Sequence, residues 1–152
     1  MLAISADDAQ RYRSASVDNQ RQLHIVLETG KEILPRKFPG QTSFDDPKIS
    51  PDSRTAGWIV SYANPNREGF ADISLELVVF RAGRILHRFN REFFFWDWEF
   101  QAGGKQAAYS LGPPHGGATE CVLREVDSGR VIARWPVQKG SEPPDWAKRL
   151  RR

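Results

Sequence analysis

Ile49-Ser50-Pro51-Asp52-Ser53-Arg54-Thr55-Ala56-Gly57-Trp58 aligns without a gap on Phe100-Gln101-Ala102-Gly103-Gly104-Lys105-Gln106-Ala107-Ala108-Tyr109. Further along, Phe80-Arg81-Ala82-Gly83-Arg84-Ile85-Leu86-His87-Arg88-Phe89 aligns on Val126-Asp127-Ser128-Gly129-Arg130-Val131-Ile132-Ala133-Arg134-Trp135. The first offset runs from position 49 to position 100, which is 51 residues; the second runs from 80 to 126, which is 46. One unit therefore occurs twice, with a shorter middle loop in the second copy. Apolar runs broken by Gly, Ser and Asp turns read as strands joined by hairpins. A period of roughly 40–50 residues built of hairpins is the signature of propeller-type blades. The expected fold class is all-β, in propeller-type four-stranded antiparallel blades: two full units and a partial one, with short terminal helices.

The rest of the chain is read outward from that repeat. Residues 46–89 form one blade and 90–135 the next, within a single domain spanning 1–152. Strands are expected near Lys48–Ile49, Thr55–Tyr62, Ile73–Phe80 and Arg84–Phe89, then near Phe94–Phe100, Gln106–Leu111, Thr119–Val126 and Arg130–Trp135. Leu23–Leu27 and Glu32–Leu34 flank Thr29-Gly30-Lys31 and predict a hairpin in which glycine supplies positive φ. Gly30 holds the place of Gly83 and Gly129, so 21–45 reads as a partial blade. Ser5 followed by Asp7 and Asp8 predicts a helix start near Ser5–Tyr12, within an N-terminal helix and linker over 1–20. Pro144–Leu150 predicts a second short helix in the tail, 136–152, with Trp146 and Leu150 on one face. In Phe93–Phe100, strand alternation places Phe94, Trp96, Trp98 and Phe100 on one face and Phe93, Phe95, Asp97 and Glu99 on the other. Aromatics on both faces mean a strand covered on both sides; a groove lined by Trp96 and Trp98 is the functional alternative to packing. Trp58, Phe80, Phe89, Trp98, Tyr109 and Trp135 are the expected large core residues.

Composition narrows the function classes. The 152 residues carry 22 Lys+Arg and 19 Asp+Glu, a net +3, with charges interspersed along the chain. Only Lys148, Arg149, Arg151 and Arg152 form a basic cluster, without an aromatic platform, so no nucleic-acid role is expected. Cys121 is the sole cysteine, which excludes an intrachain disulfide and a cysteine-based metal site. It reads as a small apolar strand residue. No apolar run of about 18 residues occurs, so no membrane-spanning helix is expected. Met1–Ala6 is too short and too poorly flanked for a signal peptide.

Asp46-Pro47-Lys48-Ile49-Ser50-Pro51-Asp52-Ser53-Arg54-Thr55-Ala56-Gly57-Trp58 resembles the TolB-like, WD-repeat-like propeller repeat, whose blades carry a Ser-Pro-Asp-Gly turn between their first two strands. Pro51 presets φ, and Asp52 bonds the backbone two residues on. Ser53 stands where the family has glycine, and the second copy keeps Gly104 but has Gln101-Ala102-Gly103 before it. The resemblance covers residues 46 to 135. It implies a β-propeller fold and the company of uncharacterised exported bacterial proteins, hence a periplasmic or secreted location. It names no ligand, since function is not carried by fold.

In a four-stranded meander the second-to-third loops and the connections between blades share one edge. Here these are 63–72, 112–118, 36–45 and 90–92, longer and more varied than the opposite turns. Functional residues gather in loops held by a rigid scaffold. The candidate binding residues on that edge are Asn64, Asn66, Arg67, Glu68, His115, Asp45 and Asp46, with Asp97 beside them. Asp45-Asp46 either binds a cation or caps the turn before Pro47. Asp97, between two tryptophans, is either a buried acid with a raised pKa or a strand residue bonded to backbone. His115-Gly116-Gly117 has the form of a hydrolase oxyanion loop, but the chain contains no Gly-x-Ser-x-Gly elbow. His24, His87 and His115 show no ligand spacing, so neither a metal nor a cofactor is expected. The function these features imply is a non-enzymatic module that binds a protein or peptide. The alternative is an accessory propeller fragment of a serine peptidase-like hydrolase system. A third, weaker reading is catalysis by Asp97, Glu99 and His115. Two blades and a half leave two terminal faces with small caps, which predicts self-association, most simply as a two-fold dimer.

Overall fold

The computed structural model describes residues 10–65, 71–89 and 93–152. It is all-β, with three antiparallel sheets. The N-terminal sheet joins β1 (Tyr12–Val17), β2 (Leu23–Leu27) and β3 (Glu32–Ile33) in that order. The middle sheet is a meander of β4 (Gln41–Ile49), β5 (Thr55–Tyr62), β6 (Ile73–Arg81) and β7 (Arg84–Phe89). The C-terminal sheet is a second meander, of β8 (Phe94–Gln101), β9 (Gln106–Gly112), β10 (Glu120–Glu125) and β11 (Val131–Pro136). Short 3-10 turns occupy Ala102–Gly104 and Asp145–Ala147. None of the described helices is long and apolar enough to cross a membrane.

The two meanders repeat in register. Ile49 pairs with Ala56 and Phe100 with Ala107; Phe44 pairs with Val60 and Phe95 with Leu111. Each of these pairs is displaced by the same 51 positions, so the alignment extends upstream of the stretch that first shows it. Both first strands also bulge at neighbouring places, between Asp45 and Lys48 and between Phe95 and Asp97. The third strands tell a different story. Ala56 faces Phe80, whereas Ala107 faces Arg124, an offset from 80 to 124 of 44. The fourth strands return to 46, since Leu77 faces Phe89 and Cys121 faces Trp135. The ungapped alignment of the last hairpins thus hides two extra residues in the second turn. Arg81 pairs directly with Arg84, while Glu125 and Arg130 close a longer loop through Glu125 N–H to Arg130 C=O (2.9 Å).

The sheets pack face to face in chain order. Strand alternation splits the middle sheet cleanly. Ala56, Trp58, Val60, Val78 and Phe80 meet Tyr12, Leu23, Ile25 and Leu27 of the N-terminal sheet. Ile59, Leu77, Val79 and Phe89 meet Phe95, Trp98, Phe100, Tyr109 and Val122 of the C-terminal sheet. Trp98 lies across Gly57, where an added Cβ would approach its ring to 2.6 Å, so this strand position has to be glycine. The far face of the C-terminal sheet, through Ala108, Cys121 and Leu123, is covered by Ala147 and Leu150 with Trp146 beside them.

Several expectations are corrected. The predicted N-terminal helix lies mostly outside the described residues, and its last residue, Tyr12, begins a strand. Ala15 and Val17 pack inward while Ser14 and Ser16 are exposed, the alternation of a strand, and a register irregularity between Tyr12 and Ser14 lets Tyr12 pack inward as well. The partial unit is therefore a three-stranded sheet, not a hairpin alone. Gln41–Asp45, expected as loop, belongs to β4, so the first full unit starts before residue 46. The C-terminal helix is a single 3-10 turn. The bulge after Phe95 breaks the simple alternation: Phe95, Trp98 and Phe100 share the buried face, and Trp96 is left partly exposed. Trp135 is half-buried, whereas the other five large residues expected in the core are buried.

Candidate functional site

The repeated bulges place three of the candidate residues together. A cleft of about 400 Å³ opens between the first strands of the two meanders, lined by Asp45, Asp46, Phe94, Trp96, Asp97 and Ser74 among others. Asp46 is displaced from Asp97 by the 51-residue offset, while in cross-strand pairing Asp97 faces Ser110 and Asp45 faces the corresponding Ile59. In β4 the bulge puts Asp46 at φ 46°, a left-handed conformation that Asp tolerates.

Each acid has a fixed partner. Asp45 Oδ2 accepts hydrogen bonds from Ser43 Oγ (2.9 Å) and Ser61 Oγ. Asp46 pairs with Lys48 Nζ at 3.1 Å, and its backbone carbonyl accepts Trp98 Nε1–H at 3.0 Å. Lys48 Nζ also donates to the Trp98 carbonyl and lies 5.0 Å from the Trp98 ring centroid. This Asp46–Lys48–Trp98 contact joins the two meanders at the floor of the cleft. Asp97 Oδ1 accepts the Trp98 backbone N–H (2.9 Å), and Oδ2 accepts the Arg151 backbone N–H (2.9 Å). Of the two readings of Asp97, the structure thus realises the backbone-bonded one.

The tail also enters the site. Arg151 donates to the Trp96 carbonyl, and its guanidinium stands 5.9 Å from the Trp96 ring centroid. Trp96 Nε1–H donates to Pro113 C=O at 3.2 Å, tying the 112–118 loop to β8. Two further clefts adjoin. One, of about 470 Å³, shares Asp45 and Asp46 and adds Asp72, Arg21 and Ser43. The other, of about 280 Å³, shares Phe94 and adds Phe93, Ile73, Leu75, Pro113 and Pro114. No protein-family model and no curated protein matches the chain. The site therefore rests on its own chemistry.

The remaining candidates lie elsewhere. His115 is exposed in a bend and lines none of the three clefts. Asn64 follows β5 and is partly buried. Asn66, Arg67 and Glu68 lie outside the described residues. Asp45 and Asp46 sit mid-strand in β4 and not in a connecting loop, Asp45 partly buried and Asp46 exposed. Glu99 is bonded to Gln101 (2.7 Å) and paired with Arg149 (3.4 Å), and of Asp97, Glu99 and His115 only Asp97 lines the first cleft. Among the described residues no group of three or more His, Cys, Asp or Glu is arranged to hold a metal ion. Phe93, Phe94 and Arg151 were not among the predicted site residues. The apolar run at 93–95 carried a signal for the first two; Arg151 gave none, since nothing local tells a tail residue where it will dock.

Proposed function

We propose that the chain is a non-enzymatic interaction or scaffold module of propeller type, which presents a groove to a protein or peptide partner. The propeller half of this reading is supported by meanders of repeated register packed face to face in chain order. Kinship with TolB-like repeats, and with it a periplasmic or secreted location, belongs to the same proposal. The functional half rests on one observation: the cleft is built on rigid strands, and its carboxylates are held in structural hydrogen bonds. Such a surface offers shape, aromatic area and charge. The hydroxyls of Ser43 and Ser61 are held on Asp45, and no histidine lines the cleft among the described residues to serve as the base of a serine hydrolase triad.

Panning a random peptide display library against the purified chain tests the proposal. A single consensus, reproduced by a synthetic peptide that competes for the surface, is the expected result. Failure to enrich any sequence, combined with turnover of ester or peptide substrates, would favour the hydrolase reading instead.

A further inference from the structure

We infer that the groove takes an extended peptide segment carrying an arginine or lysine close to an apolar side chain. The inference rests on the interaction reading above and names the chemistry of the partner. The three clefts neighbour one another: Asp45 and Asp46 line the first and second, and Phe94 lines the first and third. One end is acidic, with Asp45, Asp46 and Asp72. The other is apolar, with Ile73, Leu75, Pro113, Pro114 and Phe93, whose surface is 49% exposed.

Charge decides which peptide fits. The chain as a whole is +3, so the acidic end runs against the net charge. Among the described residues Asp46 has Lys48, while no cation is paired with Asp45 or Asp72; Arg21 lines the same cleft without an ion pair to either. Asp45 and Asp72 thus carry charge that no ion pair among the described residues takes up, although Arg21 lines the second cleft and Arg151 the first, and opposite potentials across an interface favour association. Trp96 lies between the two ends. It already has the guanidinium of Arg151 near its ring, so this ring accepts a guanidinium from the chain's own tail. An anionic or purely apolar segment would gain from only one end of the groove.

The test uses the full chain, isotopically labelled, and three capped peptides: Gly-Arg-Gly-Leu-Gly, Gly-Glu-Gly-Leu-Gly and Gly-Arg-Gly-Ser-Gly. Binding is followed by NMR through the Trp96 indole N–H and the amides of Asp45, Asp72 and Phe94. The arginine–leucine peptide should shift these signals with a dissociation constant on the order of 1 mM. The glutamate and serine peptides should bind at least roughly tenfold more weakly. The double variant Asp45→Asn, Asp72→Asn should lose roughly fivefold for the first peptide, and Phe93→Ser should do the same. Both keep hydrogen-bond acceptors or remove only exposed surface, and their spectra away from the groove report whether the fold is intact. Equal response to the arginine and glutamate peptides, shifts confined to another surface, or no shift at all would overturn the inference. A peptide from the library that binds a different surface would leave the interaction reading standing while this groove falls. No peptide from either experiment would remove both.

Discussion

Trp98 shows how much one side chain does here. It is fully buried, stacks edge-on against Phe100 at 5.0 Å, fills the space left by Gly57, and donates its indole N–H to Asp46 across the sheet interface. Trp98→Ala removes all of this and leaves a cavity, so a loss of about 3–5 kcal/mol is expected in urea unfolding. A loss below about 1 kcal/mol would mean the ring is not the interface anchor. Cys121 makes the opposite point. Burial pushes its thiol up to about 11, so the thiolate is scarce as well as shielded. It should resist a disulfide reagent at pH 8 in the folded protein and react promptly in denaturant. Both residues were legible in the sequence, Trp98 as core and Cys121 as a small strand residue, because burial follows from period and residue type. The hydrogen bonds were not legible. Asp97 reads as either a buried site acid or a strand acid bonded to backbone until the tail is seen to place Arg151 N–H against it.

At the scale of elements, the turns of the repeat and the polar face of the first sheet carry the testable physics. The first turn closes through Ser50 N–H to Thr55 C=O (2.8 Å), and Ser53 takes φ 63° where glycine is commoner. In the second copy Gly104 takes φ 104°, and a Cβ there would stand 2.8 Å from Ser50 Cβ of the first turn. At this position of the unit, serine stands in the first copy and glycine in the second, where the turn abuts its neighbour. Gly104→Ala should therefore cost about 1–3 kcal/mol, while Gly103→Ala, with open space around it, should cost only about 1 kcal/mol from its left-handed φ. Comparing the two midpoints in one denaturant series checks this. On the outer face of the N-terminal sheet, His24 lies between Asp18 (2.6 Å) and Glu32. Hydrogen bonds from Asp18 and then Glu32 raise its pKa above the ordinary histidine value. A raised folded-state pKa adds stability that is complete below about 6.5 and fades as pH climbs through the raised value. Thermal midpoints of the wild type and His24→Gln should thus differ most on the acidic side of neutrality and converge on the alkaline side. Bulges mark the boundary of what the sequence could tell. Alternation predicts that Trp96 and Trp98 share a face, and one extra residue in β8 undoes it. Strand β1 was missed because Tyr12-Arg13-Ser14-Ala15-Ser16-Val17 has few β-branched residues and follows a helix-like start.

For the molecule as a whole, the question is what becomes of the two outer faces. The expectation of self-association assumed that the terminal caps are too small to cover them. At the C-terminal end the tail wraps the sheet instead: Ala147 and Leu150 are buried, Ser110 Oγ donates to Arg151 C=O (2.7 Å), and Gln101 donates to Trp146 C=O. The contact mixes apolar burial with backbone acceptors, so it fixes position as well as hiding surface. At the N-terminal end no cap is needed, since the outer face carries Arg13, Ser14, Ser16, His24 and Glu32, with Val26 as its apolar residue. A polar outer surface is how a terminal repeat stays in water. With one terminal face covered and the other polar, the apolar drive toward pairing through these faces falls away, and the chain is expected to sediment at its monomer mass of 17.3 kDa at micromolar concentration. Leu150→Asp should reverse this. It places a charge against Ala108, Cys121 and Leu123, lifts the tail, and exposes an apolar face that a second copy can cover, so the variant should dimerise or aggregate. A wild-type dimer would locate association away from these faces, at the outer edge strands β7 and β11, where Ile85 and Ile132 are the exposed large apolar residues. Replacing both by Lys would then dissociate it, whereas Leu150→Asp would not, and the two variants together decide between face and edge.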